Sequence, residues 1–185
     1  MEKIAQILAE GGVVLYPTET IYGLGCDPLN KKSVARIRDI KGRDDKKPFL
    51  ILCNSLEEVE EFFDLEPAEY DFLAQAWPAP LTALLQPSSK LLQHLKGPSG
   101  KIGVRVSDHP WIKECFQHWP GMLLSTSANL SGQTYIGNPE ILEKTFKEQV
   151  DQLCWGDSNY SLPSTVAEYK AGRWVVLREG AFTNF

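Results

Sequence analysis

The sequence predicts a single α/β or α+β domain, residues 1–185, around one twisted sheet. Three observations carry this. Helical and strand-like segments alternate irregularly, and the last third is strand-rich. The apolar runs, such as Phe49-Leu50-Ile51-Leu52, have strand length and fall far short of the ~20 residues of a membrane helix. No linker, repeat or low-complexity stretch divides the chain.

Taken in order, residues 2–10 read as a short helix with Ile4, Ile7 and Leu8 on one face, stopped by Gly11-Gly12. Val13 to Tyr16 reads as a buried strand ended by Pro17, and Thr18 to Gly25 as a loop. Residues 31–40 read as a helix capped by Asn30. Pro48 to Cys53 is the next strand. Ser55-Leu56-Glu57-Glu58 has the form of a capping box and opens an acidic helix. A further helix spans about 67–76 and stops before Pro78. Leu81 to Leu85 is a strand, residues 87–100 a polar excursion, and Ile102 to Val106 an alternating strand. Pro110 and Asn138-Pro139-Glu140 mark helix starts. Met122 to Leu124 is a short strand running into a polar turn. Ser164–Tyr169 and Arg173–Leu177 are strands on either side of the turn Lys170-Ala171-Gly172.

Composition narrows the function. The net charge of −5 argues against non-specific nucleic-acid binding through overall charge, though not against a local basic cleft. Cys26, Cys53, Cys115 and Cys154 form no CxxC pair, and His94, His109 and His118 show no metal-binding spacing, so no metal site is expected. The N-terminus lacks the plan of a signal peptide, so cytoplasmic residence is expected.

Three segments put polar or basic groups at strand ends, where open α/β sheets bind ligands. Pro17 to Gly25 offers glycines for close approach and threonine hydroxyls, but no P-loop lysine; alone, it reads as a tight strand-to-helix connection. Lys41-Gly42-Arg43-Asp44-Asp45-Lys46-Lys47-Pro48 puts four cations in seven residues. That suits a polyphosphate or, equally, a solvated loop neutralised by its aspartates. Ser125 to Asn129 could hold phosphate or ribose oxygens, or be a polar turn. A Ser127 nucleophile has no GxSxG elbow around it. Arg105 interrupts one apolar strand and Arg178 ends another; each faces solvent or a partner, or makes a structural salt bridge.

Together the motifs resemble the YrdC/TsaC-like threonylcarbamoyl-AMP synthase family, in its short, single-domain form. Tyr16 to Gly25 is similar to the family's opening signature, and Lys41-Gly42-Arg43 with Lys47-Pro48 to its KxR segment. Trp77-Pro78-Ala79-Pro80-Leu81-Thr82 is similar to a further block, with Ala79 where the family usually has glycine. Gly103-Val104-Arg105-Val106, Ser125 to Gly132, Pro163-Ser164-Thr165-Val166 and Leu177-Arg178-Glu179-Gly180 complete seven blocks in family order.

The resemblance implies an open mixed sheet flanked by helices, with a basic concave cleft. It implies condensation of L-threonine, bicarbonate and ATP to threonylcarbamoyl-AMP and pyrophosphate, with Mg²⁺ accompanying the ATP, for modification of adenosine 37 in tRNA. Carried over by position, Thr20, Arg105 and Ser164 contact threonine. Lys41, Arg43, Lys47, Ser127, Asn129 and Arg178 hold the nucleotide, and Lys41 and Arg43 serve catalysis. Larger relatives carry a histidine near threonine where this chain has Leu52, and a C-terminal domain that this chain lacks. The implied partners are a tRNA-modifying threonylcarbamoyl transferase complex and, weakly, tRNA or double-stranded RNA. Three readings compete: an RNA-binding module without catalysis, a paralogue using another carbamoyl or acyl acceptor, and a hydrolase using Ser127.

Overall fold

The computed structural model describes residues 1–42, 49–88, 90–158 and 162–185. The expectations for Arg43, Lys47 and the strand start at Pro48 lie outside the described residues. Within them, six helices and ten strands follow the order α1 (Glu2–Ala9), β1 (Val14–Tyr16), β2 (Gly23–Cys26), α2 (Lys31–Lys41), β3 (Leu50–Cys53), α3 (Leu56–Phe62), β4 (Phe63–Asp64), α4 (Pro67–Ala76), β5 (Leu81–Pro87), β6 (Ile102–Val106), α5 (Pro110–His118), β7 (Leu123–Ser127), α6 (Pro139–Phe146), β8 (Gln152–Leu153), β9 (Thr165–Lys170) and β10 (Arg173–Arg178). A 3₁₀ turn, Lys90–Leu95, lies between β5 and β6.

The strands form one sheet in the order β10-β9-β5-β6-β3-β7-β2-β1-β8, with β4 against β5. It is mixed: β3 with β6, β5 with β9 and β1 with β8 are parallel, and the other pairs antiparallel. The helix starts follow local chemistry. Asn30 Oδ1 accepts from the N–H groups of Lys32 and Ser33, and Asn138 Oδ1 from those of Glu140 and Ile141. At α3 the Ser55 hydroxyl caps Glu58 N–H, while the Glu58 carboxylate reaches back to Asn54 N–H. The β9–β10 hairpin turns through Ala171 and Gly172, both at positive φ (52° and 80°), as the right-handed strand twist requires of a two-residue loop.

Successive strand residues point to opposite faces, and that alternation builds the layers. Val13, Leu15, Leu24, Ile51 and Leu124 join the larger apolar cluster, together with Val34 and Ile37 of α2 and Leu142 and Phe146 of α6. Their neighbours Val14, Tyr16, Leu52 and Leu123 face the other way, against Ile4 and Leu8 of α1 and Ile112 and Cys115 of α5. Central strands buried on both faces read as continuous apolar runs, which is why β1 and β3 were legible.

Three expectations are corrected. Thr18 to Gly25 is no strand-to-helix connection, because Gly23–Cys26 is a strand paired with both β1 and β7. Ser125 to Ser127 is the second half of β7 and not a turn. The strand from Leu81 runs on to Pro87, and part of the 87–100 excursion is 3₁₀. Arg105 interrupts the apolar strand β6 and Arg178 ends β10, as expected.

Gly25 is where β1, β2 and β7 meet most closely. A Cβ there would stand 2.7 Å from the Leu124 carbonyl oxygen and 2.7 Å from the Tyr16 ring. Gly25→Ala should therefore destabilise the protein by about 2 kcal/mol through overpacking. An unchanged urea midpoint would contradict this account of the β1–β2–β7 packing.

Candidate active site

On the face covered by α1 and α5, the helices reach only part of the sheet. Over the remainder the strands present small or polar residues: Gly23 from β2, Thr82 from β5, Arg105 from β6, Ser125 and Ser127 from β7. These line an open cleft of about 590 Å³. The loop before β2 adds Thr18 and Thr20, the segment before β9 adds Ser164, and the end of β10 adds Arg178. Thr20, Arg105, Ser127, Asn129, Ser164 and Arg178, far apart in sequence, thus share one cavity. Among the described residues no carboxylate lines it.

Arg105 is its deepest cation, 2 % exposed. Burying a guanidinium is unfavourable unless it is paired. Here Nε lies 3.4 Å from Glu19 Oε1, and Nη1 donates to Thr20 Oγ1 at 3.3 Å. Nη2 makes no hydrogen bond among the described residues. Arg178 donates through Nη2 to the Ser164 carbonyl at 2.7 Å. Burial, and then the nearby positive charge of Arg105, lower the Arg178 pKa. Two partly desolvated guanidiniums on one cavity make a site for an anion, which relieves both effects.

The hydroxyls are arranged with equal economy. Thr82 Oγ1 and Ser164 Oγ are 2.8 Å apart, both nearly buried. Each has one proton, so the pair shares one hydrogen bond and keeps one proton to give. Tyr16 Oη donates to Ser125 Oγ at 2.6 Å; burial pushes the Tyr16 phenol up and the Ser125 bond opposes it, so tyrosine remains the donor. Thr18 Oγ1 accepts from the N–H groups of Thr20 and Ile21 and fixes the loop backbone.

Lys41 is placed otherwise than its motif implies. It is 4 % exposed and does not line the cleft. Its ammonium donates to the carbonyl oxygens of Ser127 and, at 2.7 Å, Asn129. Its own carbonyl accepts from Ser131 N–H at 2.8 Å. Lys41 therefore bolts the end of α2 to the turn that presents Ser127 and Asn129. Ser127 gives its hydroxyl proton to Asn129 Oδ1 at 2.6 Å, and among the described residues no histidine lines the cleft to serve as its base. Leu52 lies in register with Arg105 on the neighbouring strand, but is packed in the α1–α5 cluster and does not line the cleft; Leu50 does.

Sequence reasoning missed Thr82 and Glu19. Thr82 carried a signal, since it alternates with the apolar Leu81 and Ala83 of its strand. Glu19 carried none, because its partners Arg105 and Ser107 are distant in the chain.

Fold and site together define an open-sheet α/β domain built to hold anions on its uncovered face. Residues 6–180 match the Sua5/YciO/YrdC family, described as "Telomere recombination", and the chain belongs to that family. It is 35% identical over 150 residues to a threonylcarbamoyl-AMP synthase of Coxiella burnetii, spanning 80% of this chain and 81% of that protein. The fold superposes on E. coli YciO with a TM-score of 0.89 at 27% identity, over 97% of this chain and 88% of that one. P. abyssi Sua5, complexed with L-threonine, gives a TM-score of 0.89 at 29% identity, over 97% of this chain and 53% of that one.

Replacing Lys41 with Met would leave two part-buried carbonyl oxygens without their charged donor. The expected loss is roughly 3 kcal/mol of stability, read by urea unfolding, with the 127–131 backbone amides exchanging faster. A variant as stable as wild type would overturn this bracing role for Lys41.

Proposed function

We propose that the chain is an L-threonylcarbamoyladenylate synthase. It condenses L-threonine, bicarbonate and ATP to threonylcarbamoyl-AMP and pyrophosphate, in the cytoplasm, for adenosine-37 modification of tRNA. The observation that carries the reading is the convergence of Arg105, Arg178, Thr20, Ser164, Ser127 and Asn129 on one cleft. Family membership and the named relatives support it.

The chemistry asks for placement more than for reactive side chains. The deprotonated amine of threonine adds to bicarbonate with loss of water, giving N-carboxythreonine. A carboxylate oxygen of that group attacks the α-phosphorus of ATP; the bond to the bridging oxygen breaks and pyrophosphate leaves. Nucleophile and target are both anionic, so the enzyme must hold them together and offset their charge. In this reading Arg105 takes the threonine carboxylate, with Thr20 and Ser164 beside it. Arg178 stands towards the reacting groups. Ser127 and Asn129 take the nucleotide, and Arg43 and Lys47 its phosphates. Magnesium enters as part of MgATP, bound by phosphate oxygens; the described lining supplies hydroxyls and amides beside it and no carboxylate. The product passes to a separate transferase complex.

The decisive assay is pyrophosphate release from MgATP and bicarbonate, with and without L-threonine, and mass spectrometry for the adenylate. Threonine-dependent release with adenylate formation is expected. ATP binding without turnover would identify a paralogue with another acceptor, and absence of ATP binding an RNA-binding module. In calorimetry, Arg105→Ala should weaken L-threonine by about thirtyfold, or ~2 kcal/mol, and leave ATP within about threefold. Equal losses for both ligands would overturn the assignment of Arg105.

A further inference from the structure

A cleft made for anions has a carboxylate directly behind its deepest cation. Glu19, in the loop between β1 and β2, does not line the cavity. Its two oxygens do different things. Oε2 accepts the Ser107 hydroxyl proton at 2.6 Å. The hydroxyl carries the proton and the carboxylate oxygen accepts it, while Ser107 Oγ in turn accepts from His109 N–H at 3.2 Å. Among the described residues Oε1 is buried, makes no hydrogen bond and stands 3.4 Å from Arg105 Nε, which is also buried without one. The contact has the distance of an ion pair but lacks hydrogen-bond geometry.

A contact of this kind is a poor device for stability. Two nearly buried charges in imperfect geometry do no better than well-packed apolar groups. Its effect is on direction. Arg105 has three edges. The Nε edge faces Glu19, Nη1 reaches Thr20, and Nη2 is left for the cleft. Ser107 lies just past the end of β6, the strand that carries Arg105. One strand therefore supplies both the cation and the tether of its counter-ion. The nearby positive charge of Arg178 pushes against Arg105 from the cleft side, and Glu19 is the charge that opposes this from behind.

We propose that Glu19, held by Ser107, is a positioning residue that fixes the Arg105 guanidinium so that its outer edge meets the carboxylate of the amino-acid substrate. The assignment rests on the synthase reading above. It makes Glu19 act on amino-acid affinity alone, although its loop also carries Thr18, Thr20 and Tyr22, which line the whole cleft. A purely structural role would disturb nucleotide and amino acid together.

The test is calorimetry of L-threonine and of MgATP, with steady-state kinetics, on wild type, Glu19→Gln, Ser107→Ala and the double variant, each checked by thermal melting. Glu19→Gln keeps the shape and removes the charge. It should weaken L-threonine about tenfold and raise its KM to match, with kcat and ATP affinity within about twofold of wild type. Ser107→Ala, the milder change, should weaken threonine about threefold. The double variant should be no worse than Glu19→Gln, because Ser107 acts through Glu19. Unchanged threonine affinity in Glu19→Gln, equal loss of both ligands, or additive losses in the double variant would each overturn the positioning role while leaving the synthase reading intact. A wild-type protein that binds MgATP but no L-threonine would overturn that reading, and the role of Glu19 with it.

Discussion

The molecule depends on a sheet whose two faces are unequally covered. The alternation of strand side chains sends Leu24, Ala83, Val104 and Leu124 into one continuous apolar layer. The same alternation obliges the opposite face of those strands to carry something else. Where α1 and α5 cover that face it is apolar: Val14, Leu52 and Leu123. Where they stop, it becomes Gly23, Thr82, Arg105 and Ser125. The cleft is the uncovered part of a pleated surface rather than a hole in a core. Gly23, Thr82, Arg105 and Ser125 are fixed by the backbone ladder itself, which positions them more rigidly than loops would.

This arrangement explains how polar groups are tolerated so deep. Arg105 is flanked by β3 and β5, and its charge is answered by Glu19 and Thr20. The Tyr16 phenol crosses the glycine side of β2 to reach Ser125. Lys41 spends its charge on architecture, closing the turn after β7 upon the end of α2. Among the described residues the cations at this site fall into two kinds: Lys41 braces the wall of the cleft, and Arg105 and Arg178 line it. Charge counting in the sequence cannot separate them, because what separates them is where the helix end sits relative to the sheet.

The helices were legible wherever a cap announced them, as at Asn30 and Asn138, or where proline fixed the boundary, as at Pro78 and Pro110. Strands were legible when β-branched and apolar residues dominated. Gly23 to Cys26 escaped because glycine has weak strand preference and was read as loop, although its glycines serve close packing inside the sheet. Ser125 to Ser127 escaped because hydroxyls suggest turns, while here they are the cleft face of β7. The two-residue strands β4 and β8 are made by pairing alone and leave no local trace. Thr20, Arg105, Ser127, Asn129, Ser164 and Arg178 are legible from seven ordered motifs. Their convergence, the burial of Lys41 and the pairing of Glu19 needed the tertiary structure, since each joins residues about 80 or more positions apart.

The two guanidiniums of the cleft belong to parts of the sheet with different neighbours. Arg105 lies in β6, hydrogen-bonded on both sides. Arg178 ends β10, an edge strand with β9 as its one partner and an irregular register at that very residue. Opening free energies follow such differences, with edges yielding before centres. The cleft therefore combines a fixed cation with a yielding one. The first can keep its ligand through fluctuations that carry the second away, so the amino-acid part of the reactants and the departing pyrophosphate need not be released by the same motion.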